Sequence, residues 1–242
     1  MRKKAIGRIL NLKNILIYLL AYITLFLISE QGDSIVEICG GIPVSRSSGL
    51  NVVQIMRWAL CVLPPVAVSI LFMDEELGVC VIYTVVRAKN IRQWWCVHWL
   101  GVFVINIMYP ALFTAVSVLT GINRWIYGQN LALFFLVFEI HIFTMSVLSV
   151  LILFLCKSLN MSVLFFGVVE IAMVAIGSIS PELSTYIFPF WGMVKNENYL
   201  LQAGGAHLFI TISISAGVVV VCILYTLKRL NGEKIIAYVR NR

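Results

Sequence analysis

The segment between the second and third long apolar runs reads DEELGVCVIYTVVRAKNIR over residues 74–92. It begins with three acidic residues and contains three basic residues towards its end, and ten uncharged residues lie between them, from Leu77 to Val86. Because a helix that crosses a bilayer needs about twenty apolar residues, we predict that this segment lies on the membrane surface. As a helix it would carry acidic side chains at its amino end and basic side chains at its carboxyl end, which suits the helix dipole.

The composition of the whole chain indicates an integral membrane protein. Hydrophobic residues make up 61% of the 242 positions and charged residues only 12%. That charged fraction is about half of the usual value for a soluble domain, so the composition excludes an ordinary soluble protein.

Six apolar runs are suited to membrane spans, and they cover residues 15–29, 52–73, 93–120, 131–156, 162–179 and 208–227. We therefore expect an all-α fold with six transmembrane helices in a single transmembrane domain, residues 1–242. The basic start and first apolar run resemble a signal peptide, but Leu27 stands where signal cleavage requires a small residue. This pattern favours an uncleaved first span.

The distribution of basic residues predicts that both termini are cytoplasmic. Fourteen of the 18 Lys and Arg then lie on the inner side, Arg46, Arg124 and Lys195 lie outside, and Arg57 lies within the second span. Residues 1–14 are basic and weakly amphipathic, which suits the surface of the inner leaflet. A basic tail that only sets the orientation is the alternative.

The outer connection 180–207 is aromatic at its centre, where it contains Pro189, Phe190 and Trp191. An aromatic run interrupted by Pro and Gly can enter the outer interface as short broken helices. An aromatic belt at the membrane surface is the alternative interpretation.

The six cysteines occupy positions 39, 61, 80, 96, 156 and 222. Only Cys39 is expected in an outer loop, so we predict no disulfide framework. No spacing of Cys and His suggests a metal site.

Four ionisable residues lie inside the predicted spans: Arg57, Glu139, His141 and Glu170. An unpaired charge there is costly, so each is expected to be paired, neutral or exposed to water. With a rise of about 1.5 Å per residue, Arg57 and Glu139 lie at similar depths, and an ion pair between them is geometrically possible. The simpler interpretation is that the four residues hold helices together through buried hydrogen bonds. The alternative is a polar lining of a translocation path or a proton-coupling site.

Two catalytic motifs were tested against the sequence. The Glu75-Glu76 pair fits the start of the Glu-Glu-x-x-x-Arg motif of an intramembrane protease, but Cys80 occupies the position of the Arg. The Gly-x-x-x-x-Gly-Lys-Ser/Thr phosphate loop does not occur in the sequence, so we do not expect this chain to hydrolyse ATP.

The layout resembles the membrane-spanning permease subunits of ABC-2 type ABC transporters, particularly the small permeases of bacterial lantibiotic or bacteriocin immunity and antimicrobial-peptide export systems. The likeness rests on a basic start, six spans, an acid-led cytoplasmic helix after the second span, and a broken aromatic segment before the sixth. Locally it rests on Glu75-Glu76-x-Gly78 followed by TVVRAKNIRQWW over residues 84–95.

The resemblance implies that residues 74–90 are a coupling helix that docks on a separate ATPase subunit. Its coupling residues would be Asp74, Glu75, Glu76, Arg87, Lys89 and Arg92. ATP and Mg would bind to that ATPase partner, and this chain would carry no cofactor, metal or nucleic acid. A second permease chain, identical or related, would complete a path through the plasma membrane for an amphipathic peptide or lipid-like molecule.

The charges at Arg57, Glu139 and Glu170 depart from the usual pattern of these permeases and argue against a purely apolar path. Two other classes stay open. One is a membrane sensor or interaction protein that binds an outer ligand. The other is an intramembrane enzyme that uses Glu139, His141 and Glu170.

Overall fold

The structure is a computed structural model, and it describes residues 12–28, 38–42, 52–77, 91–120, 131–179, 184, 186–193 and 206–229. The bounded elements in these residues are all helices, which confirms the predicted all-α class for the described part of the chain. They are α1 (Leu12–Ile28), α2 (Val52–Leu77), α3 (Ile91–Thr120), α4 (Leu131–Cys156), α5 (Leu159–Gly177), α6 (Phe188–Trp191) and α7 (Ala206–Arg229).

Each of the six predicted apolar runs coincides with one of the long helices. Helices α2 to α5 contain stretches long and apolar enough to cross a membrane. The apolar stretches of α1 and α7, Lys13–Ile28 and Ile212–Lys228, are shorter. The chain therefore has the character of a helical membrane protein, and the number of crossings stays a prediction.

Helix α4 lies at the centre of the bundle, where it packs against α2, α3, α5 and α7. Large apolar side chains cover the outside of the bundle, and Leu164 and Val168 on α5 are more than 60% exposed. Polar side chains such as Ser149 and Ser162 are buried between helices. An apolar exterior around buried polar groups is the distribution expected of a bundle whose solvent is lipid.

Helix α2 extends four residues beyond the predicted end of its apolar run at Met73. Residues Asp74 to Leu77, which were predicted to begin a separate coupling helix, are the last turn of α2. Acidic residues at a helix carboxyl end are unfavourable for the dipole, but Leu77 is buried and Glu76 has a histidine partner on α3. Residues 78–90, which complete the predicted coupling helix, lie outside the described residues.

Proline in α2 creates a hydrogen-bonding requirement that a neighbouring helix meets. Pro64 has no N–H, so it leaves the carbonyl of Leu60 without its usual helical donor. The hydroxyl of Tyr109 on α3 donates to that carbonyl at 2.7 Å. The hydroxyl of Tyr22 on α1 in turn donates to the carbonyl of Tyr109 at 2.7 Å. The three helices are thus joined by hydrogen bonds in the apolar bundle.

A second set of hydrogen bonds joins α2, α3 and α4. The hydroxyl of Ser69 lies 3.0 Å from Oδ1 of Asn106, and Nδ2 of Asn106 donates to the hydroxyl of Ser146 at 3.1 Å. All three side chains are fully buried. They satisfy one another, as buried polar groups in a bundle must.

A tight turn connects α4 to α5, so that the two helices form a hairpin. Lys157 has a positive φ of 57°, and the Ser158 hydroxyl accepts a hydrogen bond from the backbone N–H of Met161, which caps the start of α5. The hydroxyl of Ser162 donates to the carbonyl of Ser149 at 2.6 Å. This hairpin fixes the position of the α5 residues that face α4.

Candidate functional site

Three side chains from three helices meet inside the bundle. Nε1 of Trp58 on α2 donates to Oε1 of Glu170 on α5 at 2.9 Å, and Nε2 of His141 on α4 lies 3.1 Å from the same oxygen. Glu170 is 0% exposed, Trp58 1% and His141 2%. We call Trp58, His141 and Glu170 the polar cluster.

The hydrogen-bond pattern constrains where protons lie in the polar cluster. Oε1 of Glu170 already accepts from the indole, so Nε2 of His141 is most simply a second donor to that oxygen. Nδ1 of His141 is then available to accept a hydrogen bond, or to donate one if the ring is doubly protonated. Neither Nδ1 nor Oε2 of Glu170 has a hydrogen-bond partner among the described residues. In the described part of the chain, the polar cluster therefore has one unmatched ring nitrogen on His141 and one unmatched oxygen on Glu170.

Aromatic rings hold the imidazole of His141 in place. Its centroid lies 5.5 Å from that of Trp58 and 5.1 Å from that of Phe188 on α6. Gly192, which follows α6, approaches the ring so closely that a Cβ atom there would overlap it. The short helix α6 is thus in direct contact with the polar cluster.

A small cleft opens beside His141, between α4, α6 and α7. Its lining is mainly apolar and aromatic, with two polar side chains, and consists of Val137, Ile140, His141, Phe188, Trp191, Gly192, Ile212 and Ser215. Its empty volume is about 240 Å³, including space open to solvent. This is below the roughly 300–1,000 Å³ of sites for drug-sized ligands, so the cleft could admit one side chain or a small group of a larger molecule.

Of the three residues singled out in the predicted outer segment, one is found at this cleft. Trp191 lines it, whereas Pro189 and Phe190 are buried in α6. Phe190 packs against Gly177 at the end of α5, where a Cβ atom would overlap its ring. The predicted outer segment 180–207 thus contains a short helix at residues 188–191, while residues 180–183, 185 and 194–205 lie outside the described part.

Arg57 and Glu139 do not pair. The guanidinium of Arg57 donates to the carbonyl of Ile28 through Nε at 3.1 Å and Nη2 at 2.6 Å. This carbonyl is at the carboxyl end of α1, where a positive charge is favourable for the helix dipole. The ion pair that depth alone allowed is therefore not formed.

Glu139 is a second acidic group within α4. Both carboxyl oxygens are buried, and neither has a hydrogen-bond partner in the described part of the chain. A buried carboxyl group without such partners is costly and marks a candidate functional position. Of the four predicted intramembrane residues, the structure brings together only His141 and Glu170.

The acidic end of α2 contacts the start of α3. Oε2 of Glu76 lies 2.9 Å from Nε2 of His98, whose Nδ1 donates to the carbonyl of Trp94 at 2.7 Å. Both side chains of this pair are buried, and the Trp94 ring centroid is 4.3 Å from that of His98. Glu76 therefore contributes to packing between α2 and α3, whereas the family resemblance implied that it contacts an ATPase.

The other predicted coupling residues differ in exposure. Glu75 and Arg92 are exposed and Asp74 is partly exposed. Arg87 and Lys89 lie outside the described residues, as does most of the N-terminal segment 1–14. Among the described coupling residues, Glu75 and Arg92 are therefore the most accessible to a partner.

Comparison with protein-family models, curated proteins and solved structures gives no match. The function proposed below therefore depends on the side chains and their geometry.

Several residues of these hydrogen-bonded sets were not predicted from the sequence. Trp58 was not singled out because a tryptophan near the end of a span is ordinarily an interfacial anchor. Asn106 offered a signal, since an amide within an apolar run needs a partner. The partners themselves, Ser69 and Ser146, are 37 and 40 residues away, and only the packing of the helices reveals them.

Proposed function

We propose that the chain is a membrane-spanning permease subunit of an ABC-2 type ABC transporter, which moves an amphipathic peptide or lipid-like molecule. Six helices cross the plasma membrane in this arrangement, and both termini are cytoplasmic. ATP is hydrolysed by separate ATPase subunits, and a second permease chain completes the path.

The observation that carries the proposal is the polar cluster beside an aromatic cleft. Glu170 is buried with one carboxyl oxygen that has no hydrogen-bond partner in the described residues, and the adjoining His141 lines the cleft. Glu170 itself does not line the cleft, so a cationic group there would contact His141 directly and would meet the buried Glu170 behind it through charge attraction. The rings of Phe188 and Trp191 would contact the apolar part of the same molecule, and aromatic faces also attract cations.

A group held only for stability would usually be fully satisfied, because every unmet hydrogen bond in a bundle costs free energy. The Ser69, Asn106 and Ser146 set follows that rule, since its members bond to one another. The contrast with the unpartnered oxygens of Glu139 and Glu170 supports a ligand-related role for the acidic groups.

Force from an ATPase would reach the polar cluster through α2. Glu75 and Arg92 are exposed at the facing ends of α2 and α3, and the Glu76–His98 pair joins these ends. Trp58 lies on the same α2 helix as Glu76. A push on the loop between α2 and α3 would thus displace α2, whose Trp58 donates a hydrogen bond directly to Glu170.

The test is ATP-dependent uptake of a fluorescent cationic amphipathic peptide into vesicles that contain this chain and its ATPase. Glu170→Gln should reduce uptake about tenfold, because it removes the negative charge that attracts the cationic group, and tenfold corresponds to about 1.4 kcal/mol. Uptake of a neutral analogue of the peptide should fall much less. The exposed Cys156→Ser variant is the matched control, with uptake expected to stay unchanged.

Two results would contradict the proposal. One is gentle purification from native membranes that recovers no ATPase. The other is equal loss of uptake of both peptides in Glu170→Gln together with a lower melting temperature, which would indicate a structural role alone.

A membrane sensor is the second candidate, and the contact of Phe188 and Gly192 with His141 favours it specifically. A ligand that moved α6 would alter the polar cluster directly. Ligand-dependent crosslinking between α6 and α4 without any ATP-dependent flux would favour the sensor over the transporter.

A further inference from the structure

Two cysteines that are far apart in the sequence meet inside the bundle. The Sγ–H of Cys61 on α2 donates to Sγ of Cys39, and the two sulfur atoms are 3.1 Å apart. Their side chains are 0% and 5% exposed, respectively. Because a disulfide bond is about 2.05 Å long, the sulfurs need to approach by only about 1 Å to form one.

We propose that Cys39 and Cys61 oxidise to a disulfide bond that fastens residues 38–42 to α2. The proposal does not depend on the transport function. From the sequence alone we predicted no disulfide framework, because only Cys39 was expected in an outer loop and Cys61 lies in an apolar run that gives no sign of its neighbour.

The segment 38–42 is held firmly enough to present Cys39 to Cys61. Ile38 and Ile42 are 2% and 3% exposed, so both anchor the segment in the bundle. The backbone N–H of Ile42 donates to Sδ of Met193 at 3.3 Å. Gly41 has a positive φ of 94° and packs against the Met193 side chain, with no space for a Cβ atom. These contacts with Met193 fix the position of the segment.

The predicted topology places this pair on the outer side of the membrane. Residues 38–42 belong to the first outer loop, and Cys61 lies in the third turn of α2 from its outer end. Disulfides persist in oxidising compartments outside the cytoplasm. By contrast, Cys96 and Cys156 are exposed and lie on the inner side in that topology.

The reaction requires a disulfide-bearing thiol oxidoreductase. The Cys39 thiolate attacks its disulfide, forms a mixed disulfide and releases one oxidoreductase thiolate. The Cys61 thiolate then attacks Sγ of Cys39 and releases the second thiolate. Two electrons pass to the oxidoreductase, and the two thiol protons are released to its thiolates or to solvent. The exchange must precede the packing of residues 38–42, since both sulfurs are buried afterwards.

The test counts thiols that become reactive only after reduction. Cells that produce the full chain are denatured in N-ethylmaleimide to block free thiols, and the protein is then reduced and labelled with a maleimide-linked polyethylene glycol. Two labels per chain are expected for the natural sequence, and none for Cys39→Ser or Cys61→Ser. The control Cys222→Ser should keep both labels.

An absence of label on the reduced natural protein would overturn the proposal. Label that persists in Cys39→Ser would also overturn it, because another cysteine would then be paired. If a serine variant fails to accumulate, mass spectrometry of the unreduced natural protein decides. The peptide that contains Cys39 must then be found linked to the peptide that contains Cys61.

Discussion

Nε2 of His141 lies 3.1 Å from Oε1 of Glu170, and this contact joins α4 to α5 inside the bundle. Trp58 donates to the same oxygen from α2. One carboxyl oxygen therefore connects three helices, while the second oxygen has no hydrogen-bond partner in the residues that the structure describes. The polar cluster thus positions three helices through one oxygen, and the other oxygen is the atom on which the proposed ligand role depends.

Replacing Glu170 with Ala should strongly destabilise the protein. The change removes the common acceptor of Trp58 and His141, and breaking a buried ionic or hydrogen-bonded pair costs about 3–5 kcal/mol. Glu170→Gln keeps a carbonyl oxygen that can accept from both donors but loses the negative charge, so it should cost less, about 1–3 kcal/mol. Denaturant unfolding of the purified protein in detergent measures both changes. Equal and small losses in the two variants would show that the contact contributes little to the fold.

Replacing Tyr109 with Phe should lower the free energy of unfolding by about 1 kcal/mol, because the carbonyl of Leu60 loses its donor. The loss should shrink when Pro64→Ala is introduced, since alanine restores the helical N–H that proline lacks. A double-mutant cycle on the two positions measures this coupling.

The matched control is Tyr18→Phe. Tyr18 donates to the carbonyl of Ile105 at 3.3 Å, a longer contact to a carbonyl with no proline four residues after it. Its cost should be smaller and independent of Pro64. Additive costs for Tyr109 and Pro64 would exclude the proposed compensation.

The sequence located the helices well because apolar length alone determines them. It placed the end of the second span at Met73, whereas α2 continues to Leu77. The reason is that Glu76 is buried through its bond to His98, and a hydropathy pattern counts a carboxylate as exposed whether or not it has a partner. The contact of His141 with Glu170 and the hydrogen bonds from Arg57 to the carbonyl of Ile28 could not be predicted either. Both depend on how the helices face one another, which a hydropathy pattern does not show.

Glu75 and Glu76 are adjacent and chemically identical, yet they should respond differently to substitution. Glu76→Ala removes the partner of buried His98 and should cost about 1–3 kcal/mol. Glu75→Ala changes an exposed side chain and should alter stability by less than about 0.5 kcal/mol. Unfolding of the two variants under the same conditions provides the comparison.

An activity assay then distinguishes a role of Glu75 in docking to the ATPase from a role in packing. If Glu75 contacts the ATPase, Glu75→Ala should reduce coupled ATP hydrolysis with no change in melting temperature. Full activity in Glu75→Ala would remove this residue from the proposed docking surface.

Gly192 should tolerate no side chain, whereas Gly217 should accept one. A Cβ atom at Gly192 would overlap the ring of His141, while no atom lies within 4 Å of a Cβ atom at Gly217 on α7. Forcing an extra group into a packed site costs about 1–3 kcal/mol, so Gly192→Ala should destabilise the protein and move α6 away from the polar cluster. Gly217→Ala should instead stabilise α7 by up to about 1 kcal/mol, because alanine favours helix more than glycine does.

The position of α6 provides a readout beyond stability. Trp191 lies in α6 and lines the cleft beside His141, so its environment should change when α6 moves. The Trp191 signal is the difference in fluorescence between a protein and its Trp191→Phe variant. This signal is measured in the natural sequence and in Gly192→Ala, where we expect it to shift. The same difference should stay unchanged in Gly217→Ala. If Gly192→Ala leaves both stability and the Trp191 signal unaltered, α6 does not rest on His141, and the route from an outer ligand to Glu170 is lost.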